Sequence, residues 1–143
     1  MIPDTEYHPR LDLKDLLGEK IVGIEINAEK DALRFNYADG SSLWLIAEPE
    51  CCSRSWFEHF SGVSFLLDQR IICVVDLDMP DCIHLSDGDK ISLYGLSIST
   101  SLGVATLEMR NESNGYYGGS FCVSREFVSQ YNTIATPPEM KSL

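Results

Sequence analysis

The sequence predicts an α+β domain: a mostly antiparallel β-sheet of about seven strands with two short helices. Three observations predict it. Residues 20 to 47 alternate apolar and polar with the period of a half-buried strand and carry an Asp39-Gly40 hairpin signal. Residues 90 to 109 repeat the alternation around a Leu102-Gly103 turn. Two short segments, after Ser53 and after Ser124, begin with a helix-capping residue, and the first spaces Trp56, Phe57 and Phe60 as a helix would.

The first ten residues hold two prolines and no periodicity, so they read as an extended arm. Leu11, Leu13, Leu16 and Leu17 could line one side of a short helix that Gly18 ends. In Lys20 to Asn27, Ile21, Gly23 and Glu25 point one way and Val22, Ile24 and Ile26 the other. The chain turns at Ala28 to Asp31, returns through Ala32 to Tyr37 with Leu33, Phe35 and Tyr37 on one face, and continues after Asp39-Gly40 as Ser41 to Ala47. Pro49 breaks the pattern, because proline cannot donate to a ladder. A helix from Ser53 to Gly62 is expected to pack on the sheet through Trp56 and Phe60. Arg70 to Asp78, rich in β-branched residues, is expected as a central strand. Met79 to Asp89 reads as an acidic loop, Lys90 to Thr100 and Val104 to Met109 as paired strands, and Phe121 to Val123 as a last short strand. A helical segment from Ser124 to about Tyr131 and a Pro137-Pro138 tail follow. One domain is expected over 1–143: arm and short helix at 1–17, β-rich core at 18–123, helical segment and tail at 124–143.

A chain of 143 residues with 44% hydrophobic residues can bury a core and is not disordered. Its 11 Lys and Arg face 22 Asp and Glu, a net charge of −11 that excludes a duplex nucleic-acid surface, since phosphate contacts need cations. Such acidity serves solubility, docking on a basic partner, or calcium. The five cysteines form no Cys-x-x-Cys pair, and adjacent Cys51 and Cys52 are strained partners for a mutual disulfide. The N-terminus has no basic and apolar leader, and no apolar run nears the roughly 20 residues that span a bilayer. A cytoplasmic chain with reduced thiols is therefore expected, and no membrane contact.

The densest chemistry lies at Arg110 to Gly119, which gathers one cation, two amides, two adjacent tyrosines and three glycines. Arg110 can hold a phosphate, Asn111 and Asn114 can read polar edges, Tyr116 or Tyr117 can stack on a base, and Gly118 lets the backbone approach a ligand. These six form the candidate ligand site. The competing account is a wide hairpin loop turned by Asn114-Gly115.

Cys51, Cys52 and His59 form a second group. At a helix start a cysteine could serve as a nucleophile with His59 as base, or the three could hold zinc. Three ligands do not close a zinc site and no second catalytic residue is placed by motif, so a structural role is preferred. Asp76, Asp78, Asp81, Asp87 and Asp89 contain part of a calcium-loop pattern but lack its spacing and terminal glutamate, and read as a solvated loop. Neither a Gly-x-Ser-x-Gly elbow nor a phosphate-binding loop is present. The expectation is a binding protein, not an enzyme, without cofactor or catalytic residues.

The chain resembles a family of small uncharacterised bacterial and phage proteins. The resemblance rests on Cys-Cys-Ser-x-Ser-Trp-x-x-His, here Cys51 to His59, and on Asn-Gly-Tyr-Tyr-Gly-Gly, here Asn114 to Gly119. It covers roughly residues 18 to 123 and carries no established activity. A phage setting would imply an anti-defence role in the bacterial host cytoplasm. Two functions fit: sequestration of a phosphate-bearing ligand such as a cyclic or ADP-ribose-derived nucleotide, without turnover and with pockets paired across a homo-oligomer, or inhibition by docking this acidic chain on a basic protein partner. The two are separated by where the carboxylates fall relative to the aromatic loop.

Overall fold

The structure is a computed structural model that describes residues 11–80, 82–128 and 135–143. Ten strands are named among these residues: β1 Ile21–Asn27, β2 Ala32–Tyr37, β3 Ser42–Pro49, β4 Arg54–Ser61, β5 Cys73–Leu77, β6 Ile83–His84, β7 Lys90–Ser99, β8 Val104–Ser113, β9 Gly119–Ser124 and β10 Met140–Ser142. All pair antiparallel. One sheet runs β10-β1-β2-β3-β9 and the other β4-β8-β7-β5, with β6 also pairing with β7. Phe35, Leu33 and Leu45 of the first sheet join Leu96, Ile98, Leu107 and Met109 of the second in one apolar cluster, so the two sheets bury their facing sides against each other. Leu16 plugs this core from a 3-10 turn, Leu13–Leu16.

The expected α+β class is overturned. Among the described residues the helical elements are two short 3-10 turns, Leu13–Leu16 and Val63–Phe65, and the protein is an antiparallel β-structure. The helix expected over 53–62 is instead β4, an edge strand paired with β8. A register shift between Phe57 and His59 explains the error. It puts Phe57 opposite Met109 and Phe60 opposite Leu107, both in the core. Two inward residues three apart then imitate helical spacing. Trp56 lies on the other face, half-buried, and does not pin the strand to the core. Ser124 ends β9, and Arg125 to Val128 form no helix; the remainder of the segment expected to be helical, 129–131, lies outside the described residues.

A second bulge, between Ile21 and Gly23, corrects the parity expected of β1: Ile21 joins Ile24 and Ile26 in the core, where strict alternation separated them. The hairpin at Asp39-Gly40 forms as its sequence demands, with Gly40 at φ +88° and the Asp39 carboxylate accepting the Ser41 N–H at 2.9 Å. The β-branched run expected as a central strand supplies an edge, β5, while β7 and β8 form the centre. Chain beyond the prolines is not merely a tail, because β10 pairs along β1 from Asn27 to Glu25. A smaller apolar cluster on the outer face of the first sheet joins Trp44, Ile46 and Cys122 to Val128, Phe127 and Met140.

Candidate functional site

Two connections carry the chain from one sheet to the other at one end: β3 to β4 through residues 50–53, and β8 to β9 through 114–118. These are the two segments that stand out in the sequence, and they bond to each other. Pro49 ends β3. The Ser53 N–H then donates to the Glu50 carbonyl at 3.1 Å, closing a turn with Cys51 and Cys52 at its centre and Cys52 at φ +64°. Across the gap, the Glu50 N–H donates to the Gly118 carbonyl (2.9 Å), and the Gly118 N–H donates to Glu50 Oε1 (2.7 Å). The aromatic loop is folded on itself. Ser113 Oγ donates to the Tyr117 carbonyl at 2.9 Å and accepts the Gly115 N–H at 3.0 Å, with Gly115 at φ +102°.

Beneath the crossings lies a buried polar knot. Asn111 is wholly buried and its Nδ2 donates to Ser53 Oγ (3.0 Å) and Ser55 Oγ (2.9 Å), while its Oδ1 has no hydrogen-bond partner among the described residues. The Gly119 N–H donates to Tyr94 Oη at 3.1 Å. The glycine pair is needed here by the protein itself. A Cβ on Gly118 would lie 2.6 Å from Tyr94 Oη, and one on Gly119 would lie 2.5 Å from Ser55 Oγ.

The six residues expected to form a ligand site do not share one concavity. Arg110 and Asn111 are neighbours on β8 and so face opposite sides. Asn111 enters the knot, and Arg110 lies on the outer face, donating from Nε to Glu108 Oε2 (2.7 Å) with Glu58 Oε1 3.8 Å from its Nη1. The Trp56 indole N–H donates to the same Glu58 carboxylate at 2.6 Å, and this hydrogen bond, more than the Arg110 charge, lowers the carboxylate's pKa. Tyr116 projects from the loop with 87% of its surface exposed, Tyr117 is half-buried, and Gly118 is held by Glu50. Asn114 lines a shallow hollow of about 310 Å³ with Cys52, Ser53, Arg54, Asp89, Glu112 and Ser113.

Sequence reasoning missed Arg54, the cation of that hollow. It stacks on the Trp56 ring at 4.5 Å and lies 3.6 Å from Glu112. The available signal was a cation between two serines just after the cysteine pair.

Cys51 and Cys52 are both exposed, with their sulfurs 3.2 Å apart, and their mutual hydrogen bond raises the pKa of the Cys51 thiol. His59 is seven residues beyond Cys52 along β4, about 20 Å at strand rise, too far to act on either thiol. Among the described residues no three His, Cys, Asp or Glu side chains are placed to hold a metal. Asp87-Gly88 serves as the turn between β6 and β7, with the Asp87 carboxylate accepting the Asp89 N–H (3.0 Å). Asp81 lies outside the described residues. No described helix is long and apolar enough to cross a membrane.

The second sheet also presents an unusual edge. Ile72 (60% exposed), Val75 (50%), Leu77 and Ile83 are exposed along β5 and β6, beside the carboxylates of Asp76, Asp78 and Asp87. In the ladder register Asp76 is opposite Leu96, on the side of β5 shared with that core residue, yet Asp76 itself is exposed at the edge.

No solved structure matches the chain. It is similar to a protein of Acanthamoeba polyphaga mimivirus, "Uncharacterized protein L278", with 29% identity over 118 residues, covering 74% of this chain and 87% of the relative. That viral relative supports an uncharacterised family and does not show the bacterial or phage setting that the resemblance implied. Residues 14–123, which hold both sheet crossings and all six expected site residues, match the domain of unknown function DUF7448, and the chain belongs to that family.

Proposed function

We propose that the protein is a non-catalytic binding module whose ligand is a basic protein segment, taken along the β5–β6 edge of the second sheet. The observation that carries this reading is the edge itself: exposed Ile72, Val75, Leu77 and Ile83 interleaved with Asp76, Asp78 and Asp87. An edge strand offers unpaired backbone to an added strand, and side-chain pockets along it give specificity. The exposed carboxylates along this edge work against a second copy of the same edge, which would bring like charge, and favour a cationic partner. The net charge of −11 attracts such a partner over distance. An inhibitor acting in the cytoplasm of a virus-infected host, directed at a basic defence protein, is the biological role this reading fits best.

A second reading rests on a different observation: the exposed Tyr116, whose N–H donates to Asn114 Oδ1 at 3.2 Å, next to the hollow that Asn114 lines with Arg54. That hollow suits a phosphate-bearing nucleotide held by stacking and one arginine, sequestered without turnover and shared between copies of the chain. It ranks second because Arg110 is already engaged by Glu108 and Glu58, and because Asp89 and Glu112 share the hollow with Arg54.

Selection of displayed random peptides on the purified protein separates the two, followed by calorimetry with linear, cyclic and ADP-ribose-type nucleotides. The edge reading expects enriched peptides that alternate apolar residues with Lys or Arg, and a loss of at least tenfold in affinity for Val75→Lys. Peptide binding indifferent to Val75→Lys would sink it. Nucleotide binding weakened about ten- to a hundredfold by Tyr116→Ala would install the second reading in its place.

A further inference from the structure

The Cys51–Cys52 turn is exposed, close-set and mechanically joined to the aromatic loop, and none of the chemistry above uses it. Cys73 and Cys82 lie along the β5–β6 edge and Cys122 is buried in the first sheet. Among the described residues, only at 51 and 52 do two thiols meet, with sulfurs 3.2 Å apart, on a turn that solvent reaches from outside. We propose that Cys51 and Cys52 are a reversible thiol–disulfide switch that sets the position of the Asn114–Gly118 loop.

The chemistry needs a disulfide of low molecular weight, such as oxidised glutathione. The thiolate of one cysteine attacks a glutathione sulfur, forming a mixed disulfide and expelling one glutathione thiolate, which takes up a proton. The second cysteine loses its proton, attacks the protein sulfur of the mixed disulfide and expels the second glutathione. Two S–H bonds of the protein are exchanged for one S–S bond, and the oxidant leaves as two thiols. Neighbouring Cα atoms are about 3.8 Å apart, shorter than the usual disulfide span of about 4.4–6.8 Å, so the eight-membered ring that forms is strained. Strained, exposed disulfides are readily reduced again, which suits a switch better than a structural bond.

The output runs through Glu50. Its carboxylate and N–H both bond Gly118, and Ser53 at the other end of the turn is hydrogen-bonded by Asn111. Drawing the two sulfurs from 3.2 Å to bonding distance twists the peptide between them, and Glu50 is the residue directly attached. The loop carrying Asn114 and Tyr116 follows.

The test uses the whole protein equilibrated across a range of glutathione disulfide to glutathione ratios. Trypsin releases Phe35–Arg54, a peptide that contains Cys51 and Cys52 and no other cysteine. Its mass is expected to fall by two hydrogens as the ratio rises and to recover with reductant. In parallel, amide exchange at Gly118 is expected to quicken by roughly tenfold or more on oxidation, as its bond to a carboxylate is lost. In Cys52→Ser the exchange rate at Gly118 is expected to ignore the ratio. A peptide that carries only glutathione adducts, or no change at any ratio, would overturn the switch. Formation of the disulfide with Gly118 exchange unchanged would overturn its link to the loop.

Discussion

Gly119→Ala tests whether the glycines of the aromatic loop are there for packing. The added methyl would sit 2.5 Å from Ser55 Oγ and 3.2 Å from the Glu48 carbonyl. Ser55 cannot swing away freely, because its hydroxyl accepts Asn111 Nδ2 at 2.9 Å in a buried site. Overpacking of this kind costs about 1–3 kcal/mol, and replacing glycine returns about 0.4–1 kcal/mol through the unfolded chain. A net loss of about 1–2 kcal/mol is expected. Ser55→Ala alone removes one hydrogen bond from an asparagine that keeps Ser53, and should cost about 1 kcal/mol. In the double variant the obstructing oxygen is gone, so the methyl fits with only the Glu48 carbonyl to accommodate. The pair should then be less destabilised than the sum of its parts by about 1 kcal/mol. Urea unfolding of the four proteins at constant slope measures the cycle. Additivity within about 0.5 kcal/mol would show that Gly119 and Ser55 do not compete for the same space, and the packing account of the glycines would fail.

Three further outcomes are expected. Phe57→Ala should destabilise by about 3–5 kcal/mol because Phe57 is in the inter-sheet core, whereas Trp56→Ala should cost clearly less, since Trp56 is half-buried between Arg54 and Glu58; thermal unfolding that reverses this order would refute the strand assignment. Glu25 accepts from Asn36 Nδ2 (2.8 Å) and from Arg34, contacts that hold its pKa below the ordinary range. Its contribution is therefore present above the unfolded carboxylate pKa and is lost as pH falls through the folded one, so Glu25→Gln should cost about 1–2 kcal/mol at pH 7 and progressively less as acid protonates Glu25 in the folded protein. Tyr37 Oη donates to the Leu16 carbonyl at 2.8 Å, and burial, with the Asp39 charge adding to it, raises its pKa far above the free phenol's. The unfolded chain ionises first, so wild-type stability should decline above about pH 10, and Tyr37→Phe, about 1 kcal/mol weaker at neutral pH, should decline less steeply in alkaline urea titrations.

Strand periodicity was legible wherever the ladders are regular. Residues 32–37, 42–47 and 90–99 follow from alternation, β3 running two residues past its expected end at Ala47, to Pro49, and the turn at Asp39-Gly40 follows from residues with one easy conformation. Alternation failed where a strand carries an extra residue. The shift after Ile21 merged two faces expected to differ, and the shift after Phe57 turned a strand into an apparent helix. Neither shift is written in the residues around it, because a bulge is fixed by the partner strand. The site divides the same way. That residues 51–59 and 114–119 were special could be read from their composition, but their mutual bonding could not. Glu50 and Gly118 are 68 positions apart, and only the sheet crossings bring them together. Arg110 and Asn111 were grouped because they are adjacent, and adjacency on a strand is what separates them.

The long reach of that clamp has a kinetic side. Asn111 meets Ser53 across 58 positions and Gly118 meets Glu50 across 68, so neither contact can form until both sheets have largely assembled. Contacts made after the folding barrier leave the folding rate alone and act on the rate of escape from the native state. Weakening Asn111 or Glu50 should therefore leave refolding almost unchanged and hasten unfolding, shortening the lifetime of each folded copy. The two segments that stand out in this sequence would then govern how long the molecule persists, whatever it binds.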